Sequence, residues 1–334
     1  MLNYVVRSIC ARETPDERQQ MAGSVEDTLT NPVPGSRDME NQGALEAVCA
    51  GVVLHNAEID LLKQNLGAIR PQVTLIIAVD NGSNNLDEVR AALAEWPIHW
   101  VVNDVNQGLA KALNQVVDTA AALGFDWVIT LDQDSICDAD MVAEMRPAVA
   151  DGVLMVAPRV IDRGFIGKDA PAEAPTDDFE DIRRCITSGA LTRVDGVKAL
   201  GGFDDRLFVD QIDNDISLRG IERGYRIVRA NRALLNQRYG QTSIKRRVLW
   251  RTVRYHHYDA ARIYYQQRNL VYVCRRFGTL YVPHPVFFAT LRQPAAFAIK
   301  VFFQPDQRLR RIGSFFHGFF DGLRMSKQWP ELVS

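Results

Sequence analysis

At 334 residues, with 47% hydrophobic and 24% charged side chains, the chain is long enough for one large α/β domain plus an appendage, and its composition is that of a globular protein. Five scattered cysteines (Cys10, Cys49, Cys137, Cys185, Cys274), with no C-x-x-C spacing, exclude a disulfide scaffold and a zinc ribbon and favour a reducing, cytoplasmic compartment. The net charge of −2 conceals a division: residues 1–218 hold 17 Lys and Arg against 36 Asp and Glu, whereas residues 219–334 hold 22 against 5. The acidic half suits a divalent cation, and the basic half an anionic partner such as a diphosphate or a lipid headgroup.

Residues 1–45 are polar, rich in Glu, Gln, Pro, Gly and Ser, and read as a disordered extension without a secretory leader. From Ala47 short apolar strands alternate with amphipathic helices. Val48–Leu54 reads as a strand ending at His55-Asn56, and a helix runs on to Ile69. Val73–Val79 is a second strand ending at Asp80, Leu86–Glu95 a helix and Ile98–Val102 a third strand. Asn106–Ala122 is helical, and Trp127–Leu131 is a strand ending at Asp132-Gln133-Asp134. Fully apolar strands between helices indicate a mostly parallel sheet covered on both faces, with ligands at the carboxyl ends of its strands. His55-Asn56, Asp80, Asp132 and Asp134 all fall at such ends. Beyond them Leu154–Ile161 reads as a strand, 164–180 as a mobile loop, and Cys185–Arg193 and Leu207–Asp210 as extended. Asn214–Gly224 is a helix and Tyr225–Ala230 a strand. Val248–Phe277, where Arg alternates with aromatics, reads as a basic helix. Tyr281–Phe303 is apolar but interrupted by His284, Arg292, Lys300 and three prolines, too broken to span a bilayer.

Two carboxylates two residues apart, just past a buried strand, can aim at one hard cation whose remaining positions go to water and phosphate oxygens. Asp132 and Asp134 are placed in that way. Asp80 either closes an Asn-Gly turn through its side chain or accepts from a pyrimidine ring N–H. Asn106-Gln107-Gly108, followed by Lys111, opens a helix whose N–H groups either face a phosphate or form a cap and nothing more.

In order, Leu54-His55-Asn56, Val79-Asp80-Asn81-Gly82-Ser83, Asn106-Gln107-Gly108-Leu109-Ala110 and Leu131-Asp132-Gln133-Asp134-Ser135 form a recognisable series. Thr187-Ser188-Gly189, Gly201-Gly202-Phe203-Asp204, Leu207–Asp215 and Tyr264-Tyr265 with Arg268-Asn269 continue it. The series resembles the inverting family 2 glycosyltransferases of the GT-A fold (nucleotide-diphospho-sugar transferases), and among them bacterial rhamnosyltransferases of cell-surface polysaccharide synthesis, such as O-antigen. The resemblance implies a GT-A catalytic domain over residues 46–240 and a helical, basic and aromatic region over 241–334.

It also implies roles. His55, Asn56 and Asp80 would read the nucleobase; Asn106, Gly108, Lys111 and Asp132 would face the rest of the donor. Ser188, Gly189 and Asp210 would line the acceptor pocket, and Asp213 would be the general base, with Asp210 and Asp215 as alternatives. Asp134 and Asp132 would hold Mg²⁺ or Mn²⁺. Gln237 stands where relatives often place a metal-ligating His, with His256 or His257 as substitutes. The implied donor is a nucleotide-diphosphate sugar, dTDP-rhamnose first, with a UDP-hexose or UDP-galactofuranose as the other option. The implied acceptor is an oligosaccharide or lipid-linked glycan, reached by peripheral contact with lipids at the inner face of the cell membrane. Gln237 also raises the option of a non-catalytic assembly subunit. No nucleic-acid motif accompanies the basic half, so no nucleic acid is expected as partner.

Overall fold

A computed structural model describes residues 47–162, 177–237, 243–248, 251–256, 259–281 and 308–328. The polar extension expected over residues 1–45 lies outside them, as does His257.

The first half is a run of strand–helix units. β1 (Cys49–Leu54) is followed by α1 (Ile59–Ile69), β2 (Leu75–Asn81), α2 (Leu86–Ala92), β3 (Ile98–Asn103), α3 (Leu109–Ala122) and β4 (Trp127–Asp132). These four strands pair in parallel in the order β3-β2-β1-β4. The helices cover both faces, which is why β1 and β4 can be apolar on both sides. α3 buries Ala110, Leu113, Val116, Val117 and Ala120 against one face, while α1 buries Leu62, Leu66 and Ile69 against the other.

The second half extends the sheet with mixed directions. β5 (Ile136–Cys137), α4 (Met141–Met145), β6 (Val153–Asp162), β7 (Phe179–Ile182), β8 (Ala190–Arg193), α5 (Val194–Ala199), α6 (Ile212–Glu222) and β9 (Arg226–Gln237) follow in turn. β8 runs antiparallel to β4 and β6; β9 is parallel to β6 and antiparallel to both β5 and β7. The nine-stranded sheet of the described residues is therefore parallel in its first four strands and mixed beyond them. Past it come β10 (Ser243–Val248), β11 (Arg251–His256), α7 (Ala260–Phe277) and α8 (Arg308–Arg324).

Three sequence expectations change. The basic helix begins only at Ala260; β10 and β11 before it pair as an antiparallel hairpin. That segment (Ile244, Val248, Thr252, Val253, Tyr255) is rich in the β-branched and aromatic residues that favour strands. The loop expected over 164–180 falls largely outside the described residues, but Phe179 and Glu180 already belong to β7. Leu207–Asp210 is not extended. A 3₁₀ turn (Asp205–Leu207) leads into Phe208 at φ 60° and ψ −58°, where the Val209 N–H donates to the Leu207 carbonyl at 2.6 Å. Asp210 and Gln211 follow, also at positive φ.

Candidate functional site

The parallel register sets the depth of the acidic residues. Leu54 pairs with Asp80 and Val53 with Asp132, so one carboxylate ends β4 and the other lies one residue before the end of β2, on either side of β1 and one step apart. Because β8 is antiparallel to β4, its entrance lies where β4 ends. Gly189 N–H donates to the Thr130 carbonyl at 2.7 Å, and Asp132 N–H donates to Ser188 Oγ at 3.0 Å. Ser188 and Asp132, expected as acceptor and donor contacts, therefore touch one another. The short β5, pairing Ile136 with Asn236, draws the end of β9 alongside, and Gln237 Nε2 donates to Asp132 Oδ2 at 2.9 Å.

Asp213 enters from the other side, on the first turn of α6. The left-handed run before it is fixed by α7, where the fully buried Asn269 donates through Nδ2 to the carbonyls of Leu207, Val209 and Asp210 at 2.6, 2.7 and 3.0 Å. The Phe208 ring stacks on Tyr265 with centroids 4.8 Å apart, and the Arg268 guanidinium sits 4.9 Å from that Tyr265 ring. Non-glycine residues at positive φ cost on the order of 1–3 kcal/mol each and persist only where the surroundings over-determine them. Asn269 and the aromatic stack supply that determination here.

The electrostatics tie the two sides together. Burial first, then the charges of Asp134 and Asp213, push the Asp132 carboxyl up to about 6, against the Ser188 hydroxyl and the Arg262 guanidinium. Asp213 is likewise raised to about 6, chiefly by burial and further by Asp210, while the Asn214 N–H and Arg184 oppose the shift. Both side chains keep an accessible edge. Arg262 pairs with Asp210 at 3.4 Å, so a cation lies over the carboxylate cluster.

Other expected residues serve the framework. Asp80 is buried and accepts from the Ser83 N–H at 3.0 Å, closing its turn. His55 N–H donates to Gln133 Oε1 at 2.9 Å and its ring meets the Asn81 carbonyl at 3.1 Å; Asn56 brackets Ser83 and Asn84. Three N–H groups leading into α3 are engaged. Gln107 N–H goes to Asn81, Gly108 N–H to Asn106 Oδ1 and Leu109 N–H to the Phe208 carbonyl. Gly108 itself has φ 90°, and a Cβ there would lie 2.6 Å from the Phe208 ring, so its glycine seats the strained loop. Lys111 is exposed on the first turn of α3. Asp215 is buried against Arg219 at 2.6 Å, and Arg219 also holds the carbonyls of Leu200 and Gly202.

Several site residues escaped the sequence reading. Buried Asn65 donates to the carbonyls of Asp132 and Ser135, fixing the acidic turn from α1. Gln133, the middle residue of the triplet, is doubly bonded to the His55 backbone. Arg184 lies 3.5 Å from Asn214 Oδ1 and over the Tyr281 ring. An internal polar residue such as Asn65, on the apolar stripe of α1, was the one available signal.

Among the described residues no group of three or more His, Cys, Asp or Glu converges as a metal site. The pair Asp132 and Asp134 remains, with Gln237 Oε1 buried and without a hydrogen bond. This oxygen-only set fits a Mg²⁺ or Mn²⁺ ion that keeps most of its shell as water and phosphate.

Residues 49–196 match the family model described as Glycosyl transferase family 2. Over 192 residues the chain is 24% identical to dTDP-rhamnosyl transferase RfbF of Shigella flexneri, covering 53% of this chain and 64% of that protein. The chain thus spans less than two thirds of that relative's length. Among solved structures, GalNAc-T7 with UDP, GalNAc and Mn²⁺ superposes with a TM-score of 0.54 at 13% identity, over 94% of this chain and 65% of that one. Residues 1–349 of S. aureus TarS in complex with UDP-GlcNAc superpose with a TM-score of 0.52 at 12% identity, over 82% and 81% of the two chains. At such identities the likeness is one of fold, and the fold is GT-A.

Proposed function

We propose that this chain, whose residues 49–196 are a glycosyl transferase family 2 domain, is an inverting transferase that moves a sugar from a nucleotide-diphosphate donor to a glycan hydroxyl. The observation that supports the reading is the end of β4, where Asp132 is bonded by Ser188 and Gln237, with the charge of Asp213 on α6 close enough to raise its carboxyl. In this scheme Asp213 takes the proton of the acceptor hydroxyl as its oxygen attacks the anomeric carbon. The bond from that carbon to the diphosphate breaks, and its electron pair leaves with the nucleotide. Inversion requires one base opposite the leaving group, so a single carboxylate suffices. A divalent cation held by Asp132 and Asp134, with Gln237 beside them, would neutralise the charge gathering on the diphosphate. Arg262, loosely paired with Asp210, is placed to receive the same phosphates by forked hydrogen bonds.

We further propose dTDP-rhamnose as donor. The support is the motif series and the likeness to a dTDP-rhamnosyl transferase. His55, Asn56 and Asp80 are assigned to its base, Lys111 to the donor side, and Ser188, Gly189 and Asp210 to the acceptor. The catalytic domain is placed at residues 46–240 and the appendage at 241–334. The acceptor is an oligosaccharide or lipid-linked glycan, and the work is done on the cytoplasmic face of the membrane. A screen of dTDP-rhamnose against UDP- and GDP-sugars, following nucleotide release with and without Mg²⁺ or Mn²⁺, tests the reading. Metal-stimulated release of dTDP is expected; no release from any donor would overturn it.

A further inference from the structure

α8 turns an apolar stripe away from the protein. Its inner side is set by Gly318 and Gly322, one turn apart: a Cβ at either would collide with the backbone oxygen of Tyr264 or of Arg268 on α7. The two helices therefore pack backbone to backbone. Phe315 and Arg311 are buried, Tyr264 Oη donates to Asp321 at 2.8 Å, and Arg275 donates to the last-turn carbonyl of Gly322 at 2.8 Å. With 3.6 residues per turn, Leu309, Phe316, Phe320 and Leu323 fall within about 60° of one another, opposite the glycines. They are 87%, 51%, 52% and 38% exposed. Half of the eight large apolar side chains exposed among the described residues lie on this one stripe.

Beside the stripe runs a ridge of the cations Arg310 and Arg324, both exposed, with Lys327 just past the helix end. Asp321, the one acid of the helix, is taken up by Tyr264, by His317 at 3.3 Å and by Arg324 at 3.6 Å. A helix with Phe and Leu along one face and Arg beside it lies in the plane of a bilayer interface. No helix of the described residues is long and apolar enough to cross one. We infer that α8 docks the protein on an anionic phospholipid surface, the stripe seated among the acyl chains and the ridge against the headgroups. A two-fold dimer through the same stripe would instead bring together two halves that each hold 22 basic against 5 acidic residues.

The inference stands apart from the transferase reading, because its test reads no chemistry. The full chain is sedimented with phosphatidylcholine vesicles with and without phosphatidylglycerol. It is expected to co-sediment only with the anionic vesicles, and less as salt rises. The double variant Phe316→Ser/Phe320→Ser is expected to lose binding about tenfold or more at an unchanged melting temperature, since both side chains are exposed. Its donor hydrolysis in solution stays that of the parent, so loss of docking and loss of chemistry are distinguishable. Binding unaffected by the double variant, or no binding to anionic vesicles, overturns the inference. So does a dimer in solution that the same variant dissociates, with vesicles ignored.

Discussion

Gln237 turns its amide nitrogen to Asp132, Nε2 to Oδ2 at 2.9 Å, and its own carbonyl oxygen is buried with no hydrogen bond. The opposite orientation would set two acceptors face to face. The glutamine thus orients the Asp132 carboxylate, proposed as a cation ligand, and keeps its own oxygen available. Residues that orient metal ligands are worth about 10–100-fold in affinity. Gln237→Ala is expected to raise the Mn²⁺ concentration for half-maximal nucleotide release about tenfold, with turnover at saturating metal within about threefold. A metal titration checks this, and an unchanged requirement would remove Gln237 from the cation site.

Asp213 and Asp215 lie on one turn of α6 but in opposite circumstances. Asp213 keeps an accessible edge beside Asp210, whereas Asp215 is 1% exposed and clamped by Arg219. Asp213→Asn is expected to lower turnover by about 10²–10⁴-fold with donor affinity unchanged, the range for loss of a general base. Asp215→Asn removes the carboxylate facing a buried guanidinium, and breaking a buried ion pair costs about 3–5 kcal/mol of stability. Its melting temperature should fall while turnover per folded molecule persists. Kinetics and calorimetry on the two variants separate the roles, and an inactive but stable Asp215→Asn would reverse the assignment.

The raised carboxyls make activity and stability respond oppositely to pH. With Asp213 as the proposed base, turnover needs its ionised form and should fall as pH drops through about 6. In the unfolded chain an aspartate ionises near its ordinary value of 3.8. Between the two values the folded protein binds more protons, so this contribution to stability is full on the acid side and lost as pH rises through about 6. Without metal, the melting temperature at pH 5 should exceed that at pH 7 by more in the parent than in Asp213→Asn. Equal differences would show that Asp213 titrates elsewhere.

The strand ends were legible because β1, β2 and β4 are continuous apolar runs stopped by polar residues, and parallel strands buried on both faces are written that way. That context alone puts Asp132 at the end of β4. The partners that fix this residue could not be read there. Gln237 reaches Asp132 only because a two-residue β5 pairs with β9, and nothing in Ile136-Cys137 announces a strand. The loop before Asp213 was misread for a different reason. Positive φ is normally signalled by glycine or asparagine, but here Phe208, Asp210 and Gln211 adopt it under tertiary constraint. The hairpin before α7 was legible in principle, since its β-branched residues outweigh the arginine spacing that suggested a helix.

That constrained loop yields the last prediction. One Asn269 amide nitrogen holds three carbonyls, and the segment it holds delivers Asp213 to the acidic cluster. Asn269→Asp keeps the shape but replaces the donor with a group that repels those carbonyls. Leaving buried carbonyls unpaired costs about 1–3 kcal/mol each, so some loss of melting temperature is expected. A misplacement of the base by about 1 Å costs on the order of 10²-fold in rate. Turnover should therefore fall about a hundredfold while the Michaelis constant for the donor, proposed to bind at the strand ends of β1, β2 and β4, stays within about threefold. The acid limb of the pH profile should move as well, because Asp213 leaves the surroundings that raise it. A variant with lowered melting temperature but parental turnover and pH profile would reduce Asn269 to a packing residue and detach α7 from the chemistry.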